Sequence, residues 1–135
     1  MNFFIVMAAT WLINGSIKFI FNFIKDGKKA FSLIGYGGLP STHTAIVVSM
    51  FCYTGFSHGW NDPAIAALLV ILWVVVSDAK SLRSAVGRHA AHLNTIDPSR
   101  NHRERIGHTP IEIICGAAVG GIIGTVFSKL LLLDF

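Results

Sequence analysis

Lys18, His43, Asp78, Arg83, His108 and Glu112 are residues of this 135-residue chain whose types could together handle phosphate. Lysine and arginine neutralise phosphate oxygens. One histidine can attack phosphorus while another protonates the departing oxygen. Both histidines belong to short polar stretches that open apolar runs, Gly37-Gly38-Leu39-Pro40-Ser41-Thr42-His43 and Gly107-His108-Thr109-Pro110-Ile111-Glu112. Each stretch therefore sits at a helix entrance, where unpaired N–H groups and the helix dipole favour an anion. If the two entrances meet, they form one phosphate site.

Every part of this set has a plainer reading. Thr109-Pro110-Ile111-Glu112 fits a capping box, with Thr109 as N-cap and Pro110 at the first helical position. Ser41 or Thr42 would serve as the N-cap of the second run. Lys18 lies inside the first apolar run, where it either snorkels to the interface or faces the bundle and holds an anion. Asp78 can pair with Lys18 or Arg83. His89 and His92 lack a third placed ligand, so no metal is expected. Ser99 to Ile106 reads as a polar loop facing solvent or lipid headgroups.

The elements that must position these residues follow from hydropathy. The chain is 53% hydrophobic and only 13% charged, with a mean hydropathy of +0.60. Soluble domains carry about a quarter charged residues, so the chain belongs in a bilayer. That environment excludes nucleic acid as the partner for its net charge of +4. Residues 1–135 are expected to form a single domain. Cys52 and Cys115 lie in apolar runs and imply no disulfide framework.

Four runs are expected to be helical, near 3–24, 44–56, 64–76 and 110–133. The first has no basic start or small-residue cleavage site and is expected to stay as a membrane helix. The second is short for a span. Between the third and fourth, Leu82, Val86, Ala90, Leu93 and Ile96 recur at helical spacing, with Arg88, His89 and His92 opposite. This is an amphipathic extension of the third helix or a helix on the membrane surface, stopped by Asp97-Pro98. The fold class is thus all-α, a polytopic membrane bundle of about four transmembrane helices with an amphipathic interfacial segment. In the last run Gly116, Gly120 and Gly124 are spaced for close helix packing, within the chain or across a homodimer. Most Lys and Arg fall in the loops after the first and third spans. The positive-inside rule then places that side, and the site with it, at the cytoplasmic face of an inner or plasma membrane.

The motifs also carry a family likeness. Gly38-Leu39-Pro40-Ser41-Thr42-His43, Asp78-Ala79 with Leu82-Arg83 and Gly87, and Gly107-His108-Thr109-Pro110-Ile111-Glu112 resemble the divergent branch of the type-2 phosphatidic-acid phosphatase superfamily. That superfamily includes membrane lipid-phosphate phosphatases and vanadium haloperoxidases. The likeness runs from Lys18 to about Gly120. It implies that His108 is the nucleophile and forms a phosphohistidine, that Glu112 orients its imidazole, and that His43 is the general acid. Lys18, Arg83, Ser41, Gly38 and Thr42 would bind phosphate, supported by Asp78 and Arg105. Thr42 stands where the wider superfamily has glycine, and Glu112 where it has aspartate. His102 stands where an arginine is usual, which makes Arg83 the substitute, with Arg103 and Arg105 behind it.

These readings converge on a metal-independent, cofactor-free phosphatase of a lipid phosphate. The rival from another class is a non-enzymatic binder or carrier of lipid or polyprenyl phosphate, which needs the same anion cradle and fewer arginines. A purely structural subunit would leave the coincidence of His43 and His108 unexplained.

Overall fold

A computed structural model describes residues 2–33 and 38–132. Helix α1 (Asn2–Asp26) runs into a 3₁₀ segment, Gly27–Leu33. Helices α2 (Thr42–His58) and α3 (Pro63–Ser77) follow, and α3 continues through a π turn, Asp78–Leu82, into α4 (Arg83–Ile96). A short 3₁₀ turn and an irregular segment lead to α5 (Pro110–Leu132). Among the described residues there is no strand. The expected all-helical class is observed.

Three segments are long and apolar enough to cross a membrane: 2–25, 63–96 and 110–131. Their outward faces carry large apolar side chains, including Phe4, Trp11 and Ile24 on α1, Val70 and Trp73 on α3, and Ile114 and Ile122 on α5. Such surfaces suit lipid and not water. Helix α2, the fourth of the bundle, has 17 residues, or roughly 25 Å of helix. It is the central element and packs most extensively on α5, with α1 and α3 on its flanks.

Between helices the pattern is inverted, and polar groups face inward. Thr10, Asn14, Ser41, Thr44, Ser49, Thr54 and Ser128 are all essentially buried. On α1 the buried positions Val6, Thr10 and Asn14 lie four apart, so they share one face that turns towards α2. Thr10 Oγ1 is 2.9 Å from Ser49 Oγ, and Asn14 Nδ2 donates to Thr42 Oγ1 at 3.0 Å and to the Pro40 carbonyl at 3.4 Å. Hydrogen bonds of this kind join helices where lipid supplies no hydrophobic drive. Asn14→Ala is expected to cost about 1 kcal/mol, read as a lower unfolding temperature in detergent; an unchanged transition would show that this clamp contributes nothing.

The glycine stripe of α5 meets α2 of the same chain. A Cβ at Gly116, Gly120 or Gly124 would stand 2.4, 2.2 and 2.2 Å from the carbonyl oxygens of Ser41, Ala45 and Ser49. No side chain fits, so the two backbones touch along three turns. Of the two partners open to the stripe from sequence, the structure has the intramolecular one.

The amphipathic segment is an extension of the third helix: 63–96 form one helical rod of 34 residues, about 51 Å long against roughly 30 Å of hydrocarbon. Arg83, Gly87, Ala90 and Asn94 share one face by spacing, with Gly87 and Ala90 buried, while Leu82, Val86, Leu93 and Ile96 remain exposed. The expected polar loop after α4 folds back onto that first face. Asn94 Nδ2 donates to the His102 carbonyl and to Glu104, both at 2.8 Å, and Asn94 Oδ1 accepts from His102 N–H at 2.7 Å. A Cβ on Gly87 would lie 2.2 Å from the Glu104 carbonyl oxygen, and one on Gly107 would lie 2.4 Å from Ser84 Oγ. The loop side chains stay exposed, but its backbone is pinned to α4.

Candidate active site

The irregular segment delivers His108 to the mouth of α5 with its side chain buried, 8% exposed. Its N–H donates to the Ala79 carbonyl at 3.0 Å. Glu112, 7% exposed, lies 3.1 Å from His108 Nδ1 through Oε2. The same Oε2 accepts from Thr109 N–H at 3.0 Å, and Thr109 Oγ1 accepts from Glu112 N–H at 3.3 Å. Arg105 donates to the other oxygen, Oε1, at 3.1 Å. The capping box and the histidine–carboxylate pair are therefore both present, on one carboxylate. A carboxylate only accepts, so Nδ1 carries the proton and Nε2 keeps its lone pair.

Burial holds the His108 pKa below the ordinary histidine value, an effect opposed by the Glu112 hydrogen bond and reinforced by Lys18 and His43. The imidazole is neutral at neutral pH, as a nucleophile must be. A reaction that uses it should lose rate on the acid side as His108 gains a proton, with a midpoint below about 6.5. A pH–rate profile with its acid limb above that value would assign the limb to another group.

His43 is exposed on the first turn of α2. It lies within electrostatic reach of Arg83, Lys18 and Asp78, while Lys18 is within reach of Glu112 and Arg105. Arg83 is ion-paired through Nε to Asp78 Oδ2. Gly38 sits at φ +154°, a conformation that side chains disfavour, and a Cβ there would come within 3.4 Å of Lys18 Cε. Backbone at Gly38 thus lies directly against the lysine stem. Lys18, Gly38, His43, Asp78, Arg83, Arg105, His108 and Glu112 form one cluster, drawn from α1, the turn before α2 and its first turn, the π turn and the start of α4, the loop after α4 and the α5 entrance.

Two residues expected beside phosphate have hydroxyls with partners within the protein. Ser41 is fully buried, with its hydroxyl 3.0 Å from Thr44 Oγ1 and its N–H donating to the Glu112 carbonyl at 2.9 Å. Thr42 Oγ1 accepts from Asn14. Both bind the α2 entrance to its neighbours. Ser41 occupies the N-cap position without a side-chain cap bond. Gly37 lies outside the described residues.

Sequence reasoning passed over Asn14 and the Ala79 carbonyl. Asn14 carried a signal, being four residues before Lys18 and so on its face. The second depends on local winding that no residue type announces.

The Divergent PAP2 family profile matches residues 1–123. The chain belongs to this family. An uncharacterized membrane protein of Bacillus subtilis (strain 168), YuiD, is 24% identical, over 83% of this chain and 84% of the relative. No solved structure matches the chain. The match to the divergent PAP2 family extends through the α2 turn, the π turn and the α5 entrance. Together with three span-length apolar segments, it makes the chain an integral membrane protein.

Proposed function

We propose that this divergent PAP2 family member is a membrane phosphatase that cleaves the phosphomonoester or pyrophosphate of a lipid. The observation that supports this most directly is the buried His108–Glu112 pair, a neutral imidazole with its Nδ1 proton held by a carboxylate. His108 Nε2 attacks phosphorus in line, and the bond from phosphorus to the lipid oxygen breaks. In its protonated form His43 gives its proton to that oxygen, which leaves as the alcohol or phosphate end of the lipid. Lys18 and Arg83 offset the charge on the equatorial oxygens, and Glu112 stabilises the charge that His108 gains. Water then attacks the phosphohistidine, losing its proton to His43, and inorganic phosphate departs. The bunched basic residues support a site at the cytoplasmic face.

The test is phosphate release by detergent-purified protein from a panel of lipid phosphates, with and without vanadate. Vanadate mimics the five-coordinate phosphorus, so turnover on at least one lipid, blocked by vanadate, is the expected result. Lipid phosphate bound but never cleaved across the panel would replace this reading with that of a carrier.

A further inference from the structure

The π turn between α3 and α4 is a departure from α winding at one place in a 34-residue rod, and it lies against the cluster described above. In an α-helix the N–H of Arg83 would bond to the carbonyl of Ala79. Here it bonds to the carbonyl of Asp78, one residue further back. The Ala79 carbonyl is thereby released from the helix ladder. Ala79 is 4% exposed, and a buried carbonyl without a partner is costly. Its partner is the N–H of His108, at 3.0 Å.

The same winding sets Arg83. At about 100° per residue, side chains five apart on an α-helix point roughly 140° away from each other. Asp78 and Arg83 are five apart and form an ion pair. A wider turn brings them to one side. It also rotates α4 as a whole relative to α3, and with it the face shared by Arg83, Gly87, Ala90 and Asn94, on which the loop leading to His108 is pinned.

We infer that the π turn Asp78–Leu82 is the positioning element of the site, registering the cation Arg83 and the nucleophile His108 against each other. Asp78 acts through Arg83, and the Ala79 carbonyl acts through the backbone of His108; neither needs to touch substrate. This rests on the phosphatase reading for its kinetic consequences, but the geometry concerns anion binding as well.

The test is a double-mutant cycle with Arg83→Ala and deletion of Ser81, an exposed residue of the turn. Removing one residue lets α3 and α4 join in α winding, returning the Ala79 carbonyl to the ladder. The readouts are phosphate release and, separately, the affinity of the detergent-solubilised protein for inorganic vanadate. In the parent, Arg83→Ala should weaken each by about tenfold or more. In the deletion background, where both readouts are already low, it should change them less than twofold. Equal losses in the two backgrounds would overturn the proposal, because a merely structural turn would leave the contribution of Arg83 intact. So would a deletion variant as active as the parent. If the deletion variant fails to fold, Asp78→Asn replaces it, since it keeps the turn and removes the charge that holds Arg83; the same loss of coupling is expected, and full additivity overturns the proposal. A parent that binds vanadate but turns over no lipid would defeat the phosphatase reading alone, and the vanadate cycle would still decide the role of the turn.

Discussion

His108→Ala is expected to abolish phosphate release, by on the order of 10⁴-fold or more, while leaving the helical bundle in place. The magnitude follows from the proposed role: without the imidazole no covalent intermediate would form, and Lys18, Arg83 and the helix entrances would bind substrate without cleaving it. The fold should survive because what the alanine retains is what the structure uses. The backbone bond from residue 108 to Ala79 remains, and so does the Thr109–Glu112 capping box. Glu112→Gln should fall between alanine and parent, at roughly 10²–10⁴-fold. Glutamine keeps the shape but loses the charge that stabilises the developing imidazolium. It also loses the acceptor for Arg105 or for Thr109 on whichever side the amide nitrogen points. Initial rates on the preferred lipid, beside circular dichroism of each variant, decide the matter. An alanine variant retaining more than a tenth of parental turnover would remove His108 from the chemistry.

The second large effect concerns assembly of the site. Gly120→Ala should destabilise the chain by about 3 kcal/mol or more, and Gly116→Ala by a similar amount. The added methyl at residue 120 meets the carbonyl oxygen, carbonyl carbon and Cα of Ala45 at 2.2, 2.9 and 2.9 Å. These are backbone atoms of a buried helix and cannot rotate aside, so α2 and α5 must part. Because His43 stands on α2 and His108 at the mouth of α5, activity should fall with stability. Gly121→Ala is the matched control. Its Cβ would find nothing nearer than Val48 Cγ1 at 4.0 Å, and alanine is the better helix former by about 1 kcal/mol. Thermal unfolding in detergent should therefore separate two substitutions one residue apart. Equal transitions for positions 120 and 121 would mean that the helices are not packed as described.

How far the sequence could lead is clear from particular residues. The apolar runs marked α1, α3 and α5 to within two residues, because a bilayer admits few alternatives to a helix of that length. The glycine spacing announced a close approach but not the partner, since small residues fit any helix equally well. Thr109 to Glu112 presented a choice between a cap and a catalytic carboxylate. The structure needs no choice, because one carboxylate has two oxygens and several lone pairs. Ser41 and Thr42 show what spacing leaves out: hydroxyls beside a candidate histidine suggested phosphate ligands, and the structure also gives both hydroxyls protein partners, Thr44 and Asn14. The pairing of Asp78 with Arg83 could not be assigned from spacing, because five residues apart means opposite sides in regular winding.

The backbone contact between α2 and α5 has a consequence for how the protein would respond to its bilayer. His43, the proposed acid, stands on α2, and His108, the proposed nucleophile, at the mouth of α5; these two helices are fastened carbonyl to glycine, so the separation of the pair should change little when the bundle flexes. Lys18 and Arg83 stand on α1 and on the α3–α4 rod, which join the centre through smaller interfaces and so are freer than the α2–α5 pair to change tilt with membrane thickness. Thinner or thicker membranes are therefore expected to move the two cations relative to His43 and His108. The residence time of bound phosphate should vary with acyl-chain length of the host lipid, while the rate of the bond-breaking step stays nearly constant.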